Sequence, residues 1–571
     1  MKKLKRPNVV LIITDQQTWK QNWTPAWASD PANFPAMTEL LDKGMAFNNA
    51  YTNSCTCTSS RTTLFTGKYP AEHTATQVLA FDDPLNEQSP PKGYTQIMQG
   101  QLKNNMVNMF KMMEKAGYEV AYKGKWHVSK PTQYVKGAEH GVSPDIDQLY
   151  WTAEDVPHLE EAYGIKGWSY PDAGDDANIF NFGGGKINND SRFVDGKGHS
   201  GWYGEELPGM NKEESDAERK LTSAEHYIKN YKGKKPLFLV VSLVNPHDVL
   251  SYPGNETMTT KLGQPRFPPL YKIGGYEDEQ FESLDVDLLD SWDESLDGKP
   301  KIQKTWQGML QGFGKIDDEE TATNYVRFYA YLTSLVDKEI SKVLTALKGN
   351  KKTKDSMIVR ISDHGDMAMS HGMMRQKMFC AYQQVINVPM IFSHLSDPSV
   401  FSAKTTEAFA GLIDLAPTFA ELAGVDVKRY NFRGKSLVPI LDPKSRKQSV
   451  QDHIHFTFDD AYITDGAPQN MGASHIRCIL KKDKKTGVHW KYAVYFDPDF
   501  NQDMEYEMYN LSEDPEEMNN LANGRLDLAT DIGKKRQKLH KKLIKVMKQN
   551  GTMPDAVLWP KISGGAVGKH T

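Results

Sequence analysis

"NVVLIITD", residues 8–15, is a continuous apolar, β-branched run that ends in an acid. Such a run suits a parallel strand buried on both faces, whose carboxyl end delivers Asp15 to a crevice. The pattern returns in "PLFLVVSLVNPH" (236–247) and "SMIVRISDHGD" (356–366), each closing on polar residues that can act as ligands. Helical patterns lie between the runs, at 106–118, where a glycine ends it, and at 323–350. Strands alternating with helices predict a parallel sheet covered on both faces, with the active site at the carboxyl ends of the strands.

Residues 130–235 and 250–320 break this rhythm, being rich in Gly, Asp, Pro and aromatics with little periodicity. They read as long insertions, and loops of that length tend to be lids or binding surfaces. After about residue 445 the texture changes again: "HWKYAVYFD" and "EYEMYNLSEDP" look like antiparallel strands, and 529–551 is a basic amphipathic helix. A catalytic domain over 1–445 and a smaller α+β lobe over 446–571 are therefore expected. The helix's lysines are read as a solvated face ahead of a membrane or RNA contact.

The bulk properties exclude several classes. At 571 residues the chain is too long for one small core. A net charge of −4 is too weak to point to nucleic acid or an anionic membrane, and no segment is apolar for long enough to span a bilayer. The basic start "MKKLKRPNVVLII" imitates a signal peptide, but its apolar run is short and no small-residue cleavage site follows. Four cysteines (55, 57, 380 and 478) do not make a disulfide framework, so a reducing compartment fits better. A cytoplasmic location is expected, with the periplasm left open.

Two of those cysteines fall in "SCTCTSSRTTLFTGKYP", residues 54–70. A disulfide between Cys55 and Cys57 would be badly strained, and a zinc site would need more ligands nearby. The run reads as a place where one cysteine is reactive and Arg61 serves it.

Cys57-Thr58-Ser59-Ser60-Arg61, followed by Thr66-Gly67, resembles the signature of the type I sulfatases, of the alkaline phosphatase-like superfamily. In that family the cysteine is oxidised to formylglycine (3-oxoalanine) by a maturase, and an arginine follows four residues later. Only Cys57 has the arginine at that offset, which leaves Cys55 as a bystander; Ser59 stands where proline is commonest. "AGYEVAYKGKWH" (116–127) resembles the second signature and maps Lys125 and His127 onto catalytic positions. "NPHDV" maps His247 onto the sulfate-contacting histidine, and "ISDHGDMAMSHGMMRQKMF" maps Asp363 and His364 onto metal ligands and Lys377 onto the lysine near the leaving group. "MYNLSEDPEEMNNLA" resembles a C-terminal stretch of many bacterial members. Singly, Asp15 reads as a strand-end cap and His364 as a core histidine; five matches in order over residues 8–522 outweigh those readings.

The resemblance implies an alkaline phosphatase-like α/β sandwich, with a large mixed, mostly parallel sheet between helices and a smaller C-terminal α+β lobe. It implies one divalent metal held by Asp15, Gln16, Asp363, His364 and the modified Cys57. Calcium is the family's ion, and Gln16 and His364, where many members have Asp and Asn, admit manganese or magnesium. A hydroxyl of the hydrated aldehyde would attack sulfur, with Arg61, Lys125 and Lys377 around the developing charge. His247 or Lys377 would protonate the leaving alcohol, and His127 would release sulfate.

The substrate class stays open among sugar, aryl and small alkyl sulfates such as choline sulfate. The insertion stretches "YGIKGWSYPD", "HSGWYGEELPG" and "GQPRFPPLYK" offer aromatic groups for a pocket, or else for lid packing or a homo-oligomer contact. The rival activity is a phosphonate monoester or phosphodiester hydrolase on the same scaffold; a non-catalytic binding protein is the rival of a different class.

Overall fold

The structure, a computed structural model, describes residues 6–19, 25–79, 100–136, 147–170, 172, 190–197, 210–253, 281–311, 314–401, 403–460, 472–498 and 502–554. Three early strands are β1 (Val9–Asp15), β2 (Gly44–Tyr51) and β3 (Glu119–Gly124). A small hairpin of β4 (Gln133–Lys136) and β5 (Asp147–Tyr150) follows, then β6 (Leu237–Pro246), β7 (Met357–Ser362), β8 (Met390–His394) and β9 (Thr405–Gly411). Apart from the hairpin these form one seven-stranded sheet in the order β3-β6-β1-β7-β8-β2-β9. It is mixed but mostly parallel: β8 runs against both its neighbours, and the other pairings are parallel.

The central strands are apolar on both sides because both faces are covered. Val9, Leu11 and Ile13 pack into one core with Phe65, Phe110 and Phe419, whereas Val10 and Ile12 pack into another with Val336, Ile340 and Val343. Burying each such side chain is worth about 1.5–3 kcal/mol, so the sheet's centre anchors the fold. The second face is covered by a helix of 31 residues, Glu319–Gly349. It begins four residues before the expected 323, because the Asp318 side chain caps it by accepting from Thr321 N–H. The helix expected over 106–118 is Met109–Lys115, started by Asn108, whose side chain accepts from Phe110 and Lys111 N–H.

The 130–235 insertion is more ordered than its lack of periodicity predicts, holding helices Asp155–Tyr163, Lys212–Thr222 and Ala224–Asn230. Lys212–Thr222 rests on an Asn211–Glu214 capping box and buries only Ser215 and Arg219, so it has no apolar stripe to read. The stretches "HSGWYGEELPG" and "GQPRFPPLYK" lie outside the described residues.

The second sheet is antiparallel and four-stranded, in the order β10 (His453–Phe458), β11 (His475–Lys482), β12 (His489–Phe496), β13 (Glu505–Asn510). One face packs on the helix Asp531–Asn550 through Leu539, Leu543 and Val546. The other shares a core with Tyr51, Phe379 and Ile386 of the first unit. The helix's Lys534 is mostly exposed, as its solvated reading predicts. No helix among the described residues is long and apolar enough to cross a membrane.

Candidate active site

Four adjacent parallel strands, β3, β6, β1 and β7, bring their carboxyl ends side by side. β1 ends at Asp15 and passes to Gln16; β7 passes to Asp363 and His364. β6 ends at Pro246, opposite Asp15 in the register, and hands on His247. β3 ends at Gly124, which precedes Lys125 and His127. Only glycine fits there: φ is +96°, and a Cβ would lie 1.8 Å from Ser242 O on the neighbouring strand.

The helix Cys57–Thr66 points its N-terminus at these strand ends, with Cys57 as its first residue. That end carries partial positive charge, which favours an anion at residue 57. Arg61, one turn on and fully buried, ties the strand ends together. Its Nε donates to Asp363 Oδ2 (2.8 Å) and its Nη2 to Asp15 Oδ2 (3.0 Å), while Nη1 donates to Ser242 Oγ (2.8 Å) and Lys125 O (3.0 Å). Lys125 Nζ lies 2.7 Å from Asp15 Oδ2.

The Cys57 sulfur is 3.2 Å from His364 Nε2 and 3.8 Å from Asp15 Oδ1, and His127 and His247 stand beside it. Asp15, Cys57, Asp363 and His364 place one ligand atom each within 4.8 Å of one another, all buried. Two carboxylates, an imidazole and a sulfur at that spacing fit a divalent cation. Gln16 stands beside this cluster: its Oε1 accepts from Lys377 Nζ (2.6 Å) and its Nε2 donates to Asp366 Oδ2 (2.7 Å). Lys377 thus reaches the site through Gln16.

Electrostatics follow from burial and crowding. Burial would raise the Cys57 thiol, but Lys125, Lys377 and His364 pull it well below its ordinary value. Asp15 is also depressed: burial and Cys57 push it up, and Lys125, His247 and Arg61 outweigh them. Asp363 is raised by burial and by the charge on Asp15, the usual fate of one of two carboxyls sharing a site. His247 is lowered by burial and by Lys125 and Lys377, which keeps it neutral. His127 Nε2 lies 2.9 Å from Leu79 O; an Nε2–H tautomer leaves Nδ1 as the acceptor.

The model of the sulfatase family matches residues 7–425, most of the chain. This protein is a sulfatase. A second model, N-sulphoglucosamine sulphohydrolase C-terminal, matches residues 370–549 of it. The sulfatase is 23% identical to the N-acetylglucosamine-6-O-sulfatase of Bacteroides thetaiotaomicron, covering 95% of this chain and 87% of that one. A solved complex of a protein with its substrate D-glucosamine-2-N,6-O-disulfate shares its fold (TM-score 0.57, 19% identity, 97% and 100% of the two chains). So does the phosphonate monoester hydrolase of Agrobacterium radiobacter (TM-score 0.57, 17% identity, 95% and 96%).

The residues expected in the site of this sulfatase gather at these strand ends, except that Gln16, expected as a metal ligand, bonds Lys377 and Asp366 beside the four-residue cluster; Cys55 stays outside it, its thiol donating to Lys377 O (3.1 Å). Ser242, Asp366 and Asp172 were not among them. Asp366 closes "SDHGD", so its position was visible, but its partners Gln16 and Tyr325 are distant in sequence. Ser242 and Asp172 carry no local signal.

Proposed function

We propose that this sulfatase hydrolyses the sulfate ester of a sugar, using a formylglycine made from Cys57 by a maturase and one divalent cation held by Asp15, Asp363, His364 and residue 57. The observation that carries the reading is the Cys57 sulfur, which stands in for the aldehyde hydrate's hydroxyls and is met by two carboxylates, His364, His127 and His247. Calcium is the ion that the family resemblance implies, and the His364 imidazole also suits manganese. The sugar is supported by the relatives, an N-acetylglucosamine-6-O-sulfatase and a protein solved with a sulfated glucosamine, and Gln16 completes the ligand set only by releasing Lys377.

The hydrated aldehyde would supply two hydroxyls on one carbon, one to attack sulfur and one to release sulfate, and the cation would supply Lewis acidity beside the first. Arg61 holds Asp15 and Asp363 in register and adds fixed positive charge under residue 57. Lys125 faces the sulfuryl oxygens from the β3 side and stabilises the charge that grows on them. Lys377, held by Gln16, gives a proton to the leaving alcohol. His247, held neutral, hydrogen bonds to the group in transfer. His127 takes a proton from residue 57 at Nδ1 while Leu79 O holds its Nε2–H, and this step frees sulfate.

Steady-state kinetics on sulfated monosaccharides, aryl sulfates, choline sulfate and an aryl phosphonate test the reading. A sulfated sugar with the highest kcat/KM supports it; a higher value for the phosphonate assigns the site to phosphonate esters.

A further inference from the structure

We propose that Asp172 is the positioning residue of His127, and that the segment 163–170 before it is a strap that braces the same turn. The proposal rests on the role given to His127 above. β3 is the edge strand of the large sheet, and an edge exposes a row of backbone groups that need partners. The strap supplies them. Tyr122 N–H donates to Lys166 O (2.9 Å), the Lys123 ammonium to Gly167 O, and the Trp168 indole N–H to Gly124 O (3.0 Å). Trp168 is buried and packs edge-on against Trp151, with centroids 5.1 Å apart.

Asp172 grasps the catalytic turn. One carboxylate oxygen of Asp172 accepts from Trp126 N–H (2.7 Å) and the other from His127 N–H (2.6 Å). His127 has φ +52°, a conformation that a residue with a Cβ keeps only where its surroundings enforce it. The Trp126 side chain helps by donating its indole N–H to Ser129 Oγ (2.8 Å) and stacking on Phe65 of the Cys57 helix at 5.6 Å. That fixes the ring beside His127. Asp172 fixes the backbone of His127 itself, and with it the direction from which the imidazole meets residue 57. Without the carboxylate, two buried N–H groups lose their acceptor and the turn relaxes away from its strained φ.

A double-mutant cycle reads this directly. Matured, metal-loaded Asp172→Ala, His127→Ala and the double variant are followed by rapid quench with para-nitrophenyl sulfate, and intact-protein mass spectrometry weighs any sulfuryl group retained on residue 57. Asp172→Ala should lower kcat about 10–100-fold while keeping the burst of phenol. In the His127→Ala background it should cost less than about twofold more. Asp172→Asn, with one oxygen left to accept, should recover part of the loss. If Asp172→Ala costs the same factor with and without His127, it does not act through His127 and the inference falls. If His127→Ala shows neither burst nor retained group, the role given to His127 falls, and the coupling still decides Asp172. Should Asp172→Ala not fold, Asp172→Asn carries the same cycle.

Discussion

Burial makes a thiol reluctant to ionise, and three of the four cysteines obey: burial raises Cys55 and Cys380, and pushes Cys478 up to about 12. Cys57 is equally buried and goes the other way, because lysines 125 and 377 and His364 surround it. A field that favours a thiolate favours any oxyanion made at the same atom, which is what a formylglycine hydrate needs. Cys57→Ala should therefore abolish turnover, whereas Cys55→Ala should keep most of it and lose about 1–2 kcal/mol of stability to the missing buried atom; kinetics and denaturant titration check both. Asp15 and Asp363 crowd one site, and a bound cation lets both ionise. Stripping the metal should remove activity and lower the melting temperature, by about 2.7 kcal/mol of stability when the ion had stood at 100 times its Kd. Full turnover in metal-free protein would refute the ligand assignment. Asp15 and Asp363 were legible because each follows an apolar strand run, and Cys57 because it opens the Cys57–Arg61 signature, with the matches in order deciding the reading. Asp172 was not, because its partners Trp126 and His127 lie 46 and 45 residues away and nothing periodic links them.

The elements themselves divide along the same physical line. β1, β6 and β7 were readable as apolar runs because each is buried on both faces, and their polar last residues marked the crevice. The helix Lys212–Thr222 in the first insertion was not, because a capping box and not an apolar stripe defines it. Element ends also hold the site's tightest tolerances. Gly124→Ala should cost more than about 2 kcal/mol, since the new Cβ meets a carbonyl oxygen on β6 and the residue must keep φ at +96°. Equilibrium unfolding measures this, and an unchanged midpoint would show that β3 can shift away from Ser242. His127 and Lys377 arrive from different elements, so their losses should slow different steps. His127→Ala should give one burst of alcohol and then only a slow residual turnover, while Lys377→Ala should slow the burst itself, most for poor leaving groups. Rapid quench with a series of aryl sulfates separates the two.

Across the whole molecule, the two sheets meet through a buried polar network as well as a shared apolar core. Lys491 of β12 pairs with Glu517 and donates to Ala381 O, Glu517 accepts from Gln383 N–H (2.8 Å), and Tyr382 O–H donates to Glu507 (2.9 Å). The second sheet thereby grips the chain just beyond Lys377. Lys491→Met should destabilise the protein by about 3–5 kcal/mol, because it leaves Glu517 buried without its cation; calorimetry checks it. The proposed work of this assembly is to cleave a sulfate ester through an aldehyde at residue 57. Peptide mass spectrometry of active enzyme, purified after co-production with a maturase, tests it most directly. The mass of formylglycine at residue 57, in an amount that rises in proportion to sulfatase turnover across preparations, is the predicted result. Full turnover from protein whose residue 57 is entirely an unmodified thiol would contradict it.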